Sequence, residues 1–450
     1  MIRPRVIANA SALLKTTASR CPVCLEVIPA DVWDRDGRVV MTKTCTAHGD
    51  FEVTLARDAR YYHLARGRRS EASCCRPSCG CNEDEAARDP FEVLSTCVAL
   101  IEIVDSCNLA CPTCYAASPQ GTGDQVDCIS FDSFVERVGG VTERKGFIDI
   151  LQLSGGEPTI HPEFFRILEW AIGHEKIGYV LINTNLVRFA GDARFRDRLA
   201  ALRGQHCKFE LYAQFDGPQA GGQIALRGTD LRDMRRRSLD LADELDLPTT
   251  LVMVVTPATI GHIGDAFRFG LGHRCCRGLS LQPMFTSGRV PRVESSLPIA
   301  APTPISVGDV ITSLVEQAPD LVCSDDFTPL PCGDPNCHTI GYVLRTEDGP
   351  VGLSRLIDLE SAQGFLRDRL NYDLDDLARC GCETDPLGTL LEGIQLGPEQ
   401  PFRMFIKPFM DAWTFDDDRI DRCCTHVIRP DGTLDSFCRY YLQGGACGGG

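Results

Sequence analysis

What the chain lacks narrows its nature first. None of its apolar runs reaches the roughly 18 residues that a membrane-spanning helix needs, so no membrane span is expected. The first residues carry no apolar core of the kind found in a secretory signal, and a soluble, cytoplasmic protein is the expectation. Positive charge is also short: 46 Lys and Arg stand against 62 Asp and Glu, a net charge of −16. A surface that tracks phosphates would be basic, so nucleic acid is not expected as a partner. The Arg-rich stretches Arg66–Arg69 and Arg235–Arg237 are short and read as solvated faces. With 450 residues, 43% hydrophobic and 24% charged, the chain has room for two or three domains and a large core.

The 24 cysteines then need an explanation. In a small secreted protein they would form a disulfide framework, whereas in a reducing compartment clustered cysteines read as metal ligands. Most fall into four groups, near residues 21–48, 74–97, 107–114 and 332–438. Cys128, Cys207, Cys275, Cys276, Cys323 and Cys447 stand apart and read as small hydrophobes.

The third group is the sharpest. Cys107, Cys111 and Cys114 form a C-x3-C-x2-C triplet directly after an apolar, strand-like run. Thiolates this close suit soft metal, and a four-iron cluster needs one ligand per iron. Three cysteines for four irons would leave one iron open to bind something else. A zinc knuckle is the plain alternative.

Around the triplet the chain has a regular rhythm. Apolar, β-rich runs fall at Ala99–Val104, Asp149–Ser154, Gly178–Thr184, Lys208–Phe215, Thr249–Val255 and Gly278–Phe285. Helical patterns lie between them at Phe131–Val138, Pro162–Gly173, Ala193–Arg203, Leu231–Leu245 and His262–Leu271. Strands alternating with helices of this length predict an α/β fold with a parallel sheet. Six units suit an open, partial (βα)6 barrel, with a doubly wound sheet as the alternative. In barrels the chemistry sits at the C-terminal ends of strands, and the triplet lies just past the end of the first. The division expected is 1–98, a cysteine-rich metal-binding region; 99–290, the partial barrel; and 291–450, a C-terminal region opened by the Pro/Ser-rich stretch Val290–Pro304. Within residues 1–98 the only helical periodicity is at Leu55–Arg66.

Two further cysteine patterns flank this core. Cys21 and Cys24 pair with Cys45 and His48 across 20 residues, the spacing of two knuckles around a tetrahedral zinc or single iron. That predicts a rubredoxin-like or zinc-ribbon-like module. Cys75, Cys79, Cys81 and Cys97 offer four thiolates, enough to ligate an auxiliary 4Fe-4S cluster fully. Cys332, Cys337, Cys423 and Cys438 are dispersed, and folding would have to gather them for a further cluster; Cys380 and Cys382 are other candidates.

The triplet resembles the signature of the radical S-adenosylmethionine (SAM) enzymes. An aromatic residue usually precedes the last cysteine there; here Thr113 holds that place and Tyr115 follows. The resemblance implies that Cys107, Cys111 and Cys114 hold a 4Fe-4S cluster whose open iron chelates SAM. An electron from the cluster then yields a 5′-deoxyadenosyl radical that abstracts hydrogen from the substrate. Gly155, Gly156, Glu157 and Pro158, after the second strand, resemble the motif that contacts the SAM amino group. Asn183 and Asn185 end the third strand, and Gln214 and Asp216 the fourth, where the family places polar contacts to SAM. Gln282 and Pro283 at the sixth strand are candidate substrate or adenosine contacts.

Other features resemble one subfamily, the tetraether synthases and class D radical SAM methylases of pterin biosynthesis. They are the N-terminal Cys-Pro-x-Cys knuckle, Phe215-Asp216-Gly217 with Leu226-Arg227-Gly228, Phe327 to Cys332, and a tail of Phe409 to Asp411, Cys423 to His426 and Phe437-Cys438. That resemblance implies C–C bond formation or methylation of a lipid or pterin-like small molecule. It also implies an electron donor such as ferredoxin or flavodoxin, auxiliary clusters, and a mononuclear iron or zinc. Departures are the shortened Cys79-Gly-Cys81 and Gly333-Asp334 after Cys332, where Ser-His is commoner. The competing expectation is a non-catalytic iron–sulfur or zinc protein that carries electrons or binds a partner.

Overall fold

The structure, a computed structural model, describes residues 11–64, 96–290, 304–330, 333–356 and 401–443. The first described stretch is an antiparallel sheet in sequence order: β1 (Ala12–Arg20), β2 (Val27–Arg35), β3 (Arg38–Cys45) and β4 (Gly49–Ala56). Asp36 and Gly37 join β2 to β3 with φ of 54° and 77°. Two left-handed residues match the twist of a tight hairpin, and Arg35 pairs with Arg38 across it. The helix expected from the periodicity of Leu55–Arg66 is not formed over its described part. Leu55 ends in β4, and Ala59–Tyr61 makes one 3₁₀ turn. The apolar spacing is real but serves the ribbon: Leu55, Ala59 and Tyr62 pack against the core of Val32, Val39, Met41 and Val53.

The central strands are β5 (Val98–Val104), β6 (Ile148–Gly155), β7 (Ile177–Thr184), β8 (Phe209–Gln214), β9 (Thr249–Val255) and β10 (Cys276–Pro283). Each is parallel to the next and lies beside it, without the reversal of order of a doubly wound sheet. Helices cover one face: α1 (Phe131–Lys145), α2 (Phe164–Gly173), α3 (Val187–Gly191), α4 (Ala193–Arg203), α5 (Ala220–Arg227), α6 (Arg232–Glu244) and α7 (Ile263–Leu271). Local chemistry sets their bounds. The Ser130 hydroxyl accepts from Ser133 N–H to start α1, and Gly146 at φ 80° ends it. Helix α2 turns Phe164, Phe165, Ile167, Leu168, Ala171 and Ile172 to the sheet.

The chain beyond residue 290 enters the same sheet. It forms α8 (Val307–Gln317), β11 (Phe327–Pro329), β12 (Thr339–Thr346), β13 (Gly349–Gly352), β14 (Pro401–Ile406), α9 (Asp417–Ile420), β15 (Thr425–Ile428), β16 (Leu434–Ser436) and α10 (Phe437–Leu442). Strand β14 lies parallel to β10 on one side, and β15 parallel to β5 on the other. Alternation of side chains along strands sends Val98, Ile150, Leu181, Tyr212, Val252 and Phe405 to the face away from the helices. There they form one cluster with Ile340 and Tyr342. The sheet is curled enough that Val98 of β5 and Phe405 of β14 line one small cavity.

At Gly278 β10 and β14 leave no room for a side chain. A Cβ there would lie 2.5 Å from the Arg403 carbonyl oxygen. Gly278→Val should push β14 off β10 and cost about 1–3 kcal/mol. Urea denaturation would record this as a lower midpoint, and an unchanged midpoint would show that the strands can part freely.

Candidate functional site

At the C-terminal ends of the parallel strands the loop after β5 carries Cys107, Cys111 and Cys114 around one cavity. The loop is braced from the far side of the sheet. Cys114 and Arg289 exchange backbone hydrogen bonds, each 2.8 Å, and the Arg289 side chain donates to the carbonyls of Cys111 (2.8 Å) and Ser118 (3.1 Å). Arg289 follows β10, so the exits of the first and sixth strands are tied together. Burial pushes the Cys107 thiol up to about 12. A buried thiol gives up its proton when a metal takes the sulfur.

Gly155 and Gly156 lie flush against the end of β5. A side chain on either would run into the carbonyl oxygens of Val104 and Ser106. Gly155 also has φ 109°, a conformation that L side chains rarely adopt. The next residue, Glu157, is 1% exposed, and its carboxylate is fully used. One oxygen accepts from Thr159 Oγ1 (2.6 Å), and the other accepts from the Asn185 N–H (2.7 Å). Burial raises its pKa while those donors oppose the shift. Glu157 therefore staples the turn after β6 to the turn after β7. Pro158 is buried and starts the following 3₁₀ turn, away from the cavity wall.

The walls are rich in carboxamides. Gln152, Asn183, Asn185, Gln214 and Gln282 all line the cavity. Gln152 Nε2 donates to Asn183 Oδ1 (2.6 Å), Asn183 Nδ2 to Ser154 Oγ (2.8 Å), and Asn185 Nδ2 to Asn108 Oδ1 (2.7 Å). Tyr115, Phe285, Phe409 and Phe437 make an aromatic wall, with Tyr115 and Phe437 centroids 5.5 Å apart and Phe409 and Phe437 4.2 Å apart. Asp216 does not join them. It is fully buried, accepting from Arg227 Nε (2.6 Å) and lying 3.2 Å from Arg235 Nη1. Burial alone would raise its carboxyl, but the two guanidiniums hold it at about 2. Its carboxylate is thus held between two arginines and is not part of the cavity lining.

The N-terminal knuckles meet at the end of the ribbon. The ligand atoms of Cys21, Cys24, Cys45 and His48 lie within 4.8 Å of one another, the one such set of three or more among the described residues. Cys45 Sγ is 3.4 Å and Cys21 Sγ 3.6 Å from His48 Nδ1, and the Cys24 and Cys45 sulfurs are 3.9 Å apart. A tetrahedral ion with bonds of about 2.0–2.3 Å spaces its ligands by roughly 3.5–3.8 Å. The four residues fit one metal ion. The sulfurs of Cys107, Cys111 and Cys114 do not form a second such set.

Of the remaining cysteines, Cys75, Cys79, Cys81 and Cys332 lie outside the described residues. Cys97 is buried at the start of β5, with its N–H donating to the Cys424 carbonyl (3.0 Å). Cys337, Cys423 and Cys438 surround a buried region beside Arg419, whose Nη2 is 3.4 Å from Cys337 Sγ. The Cys438 sulfur accepts from the Met410 N–H (3.3 Å). Sequence reasoning missed Tyr212, Arg289 and Lys407 on the cavity wall. Arg227 carried a signal in Leu-Arg-Gly; Lys407 carried none, since nothing in the sequence tells which strand β14 joins.

A cysteine triplet at the end of the first of six sequential parallel strands, with glycines closing on it from the second, defines a radical SAM domain. Residues 101–270 match the radical SAM superfamily, and residues 13–57 match the HMPTM N-terminal zinc ribbon domain. The protein is an enzyme carrying a radical SAM domain over residues 101–270, and that domain implies a 4Fe-4S cluster and SAM. The chain is 24% identical to the 7,8-dihydro-6-hydroxymethylpterin dimethyltransferase of Methanocaldococcus jannaschii, over 95% of this chain and 93% of that protein. It is 28% identical to the mycofactocin maturase MftC of Mycobacterium tuberculosis over 48% of this chain and 52% of that one. Among solved structures, SuiB of Streptococcus suis bound to S-adenosylmethionine is 14% identical over 51% of this chain and 45% of that one, with a TM-score of 0.37. This chain thus spans about half of the maturase and of SuiB. No helix among the described residues is long and apolar enough to cross a membrane.

Two measurements bear on these sites. Cys45→Ala should lose one metal equivalent from the purified protein, and elemental analysis would name the metal as zinc or iron; unchanged metal content would remove Cys45 as a ligand. Asp216→Asn leaves two buried guanidiniums without their carboxylate and should cost about 3–5 kcal/mol in chemical denaturation.

Proposed function

We propose that this enzyme transfers a methyl group from a one-carbon donor to a carbon of a reduced pterin or a closely similar heterocycle by radical SAM chemistry. Cys107, Cys111 and Cys114 would hold the 4Fe-4S cluster, and their three sulfurs for four irons leave one iron for SAM. A cluster held there would supply the electron for reductive cleavage of SAM and hence for hydrogen abstraction, with methionine leaving with its own methyl group. The observation that carries the reading is a single cavity lined by the three cysteines, by Gly155 to Glu157 and by the strand-end amides.

Within that cavity each group has a physical task. The flush glycine turn offers backbone carbonyls to the SAM ammonium, because no side chain intervenes. Glu157 acts by fixing that turn rather than by reaching the ligand, since its oxygens are already taken. Asn183, Asn185 and Gln214 are held by their neighbours through one amide N–H each, and the second N–H of each amide suits the carboxylate and ribose of SAM. The aromatic wall keeps water from a radical and gives a flat ring a stacking surface. The pterin class rests on this wall and on the dimethyltransferase likeness over nearly the whole of both chains.

The rest of the reading follows the cysteine groups. Residues 1–98 would be the metal-binding region, 99–290 the radical SAM domain and 291–450 a region with an auxiliary cluster on Cys332, Cys337, Cys423 and Cys438. A second auxiliary cluster would use Cys75, Cys79, Cys81 and Cys97. A cytoplasmic electron donor such as ferredoxin or flavodoxin would reduce the enzyme.

The reconstituted protein, reduced anaerobically with excess SAM, 7,8-dihydro-6-hydroxymethylpterin and a one-carbon donor (a second equivalent of SAM, or a tetrahydropterin carrying a methylene group), should release 5′-deoxyadenosine and a methylated pterin, both seen by mass spectrometry. Cys111→Ala should abolish both products. Deoxyadenosine without any methylated pterin would keep the radical chemistry and reject this substrate.

A further inference from the structure

Lys407 is the one cavity group whose charge nothing yet explains. It follows β14, and its N–H donates to the Leu281 carbonyl of β10 (2.9 Å), which sets the residue at the strand-end level of Gln282. It lines the catalytic cavity together with Tyr212, Gln214 and Gln282. Its ammonium lies 5.8 Å from the ring centre of Tyr212 and 5.5 Å from that of Phe405. Among the described residues that ammonium has no hydrogen bond and no ion pair. Glu210, which lines a small adjoining cavity with Lys407 and Tyr212, is already committed: it accepts from Thr250 Oγ1 (2.9 Å) and lies 3.4 Å from Arg403 Nη2.

A half-buried ammonium held only by ring faces keeps three unused donors. The groups beside it are fixed. Tyr212 donates to Ser280 Oγ (2.6 Å), and Gln282 Nε2 donates to Tyr212 Oη (3.1 Å), which leaves the Gln282 carbonyl to face a ligand. A cation beside a rigid amide forms an edge that reads a planar ring carrying an acceptor next to a donor. The lactam side of a pterin, a carbonyl oxygen flanked by a ring N–H, has that pattern.

We propose that Lys407 is the substrate-anchoring residue of this cavity, donating to the lactam oxygen of the pterin while Gln282 reads the neighbouring N–H. This deepens the functional reading above and rests on it. Lys407 fixes the ring's orientation, and with it which carbon faces the radical.

The test uses the full chain, loaded anaerobically with iron, sulfide and SAM. Binding of 7,8-dihydro-6-hydroxymethylpterin is measured for the unsubstituted protein, Lys407→Met and Lys407→Arg. Losing one charged hydrogen bond should weaken binding by about tenfold or more in Lys407→Met, with the effect in KM exceeding that in kcat, and Lys407→Arg should restore part of it. Equal binding by Lys407→Met and the unsubstituted protein would overturn the anchor and leave the pterin reading standing. No binding by the unsubstituted protein would overturn the pterin reading and this role with it. Should Lys407→Met fail to fold, lysine acetylation mapped on the unsubstituted protein decides. Pterin should protect Lys407, and equal labelling with and without it would overturn the proposal.

Discussion

A parallel sheet leaves unpaired backbone on both outer strands, and here one stretch of chain covers both. Pro401–Ile406 pairs with β10, and Thr425–Ile428 pairs with β5. Buried backbone groups must be paired, so these two strands hold the curled sheet in shape. Everything between and after them follows from that. Lys407 and Phe409 enter the cavity just past β14, and Phe437 enters it after β16. The connecting segment takes the N-terminal ribbon as well. Lys43, 4% exposed, donates to the carbonyls of Ala412 (2.6 Å) and Trp413 (2.8 Å), and Trp413 packs into the ribbon core. Lys15 adds an ion pair with Asp416 at 2.6 Å.

The cavity itself is built from constraints rather than from free side chains. Glu157 spends its carboxylate on two turns, Arg289 spends its guanidinium on the cysteine loop, and Asp216 with two arginines forms a charged core below. Such fixed groups hold a site open for a ligand without reorganising when it arrives.

Much of the central domain was legible. Thr249–Val255 and Ala193–Arg203 run as their patterns predict, because a buried β-branched run and an Asp192-capped stretch that buries Phe195, Leu199 and Leu202 leave little choice. The helix read from Leu55–Arg66 failed because its apolar residues serve a small antiparallel ribbon whose packing partner, Trp413, is far away in sequence. The partners of Asp216 were hidden for a similar reason. A strand-end carboxylate looks like a ligand contact until folding brings Arg227 and Arg235 onto it. Local pattern fixes a strand's length, but the neighbour it pairs with depends on the rest of the chain, which is why β14 and Lys407 were hidden.

The bridge between Cys114 and Arg289, and the aromatic wall beyond it, carry a consequence for biosynthesis. The cysteine loop is made early, but Arg289 comes much later, and Lys407, Phe409 and Phe437 come near the end of the described chain. At translation rates of about 5–20 residues per second, tens of seconds separate the loop from its walls. During that interval the three thiols stand at an open strand end, with neither brace nor shelter. The chamber is finished only when residues of the last strands fold back across the first.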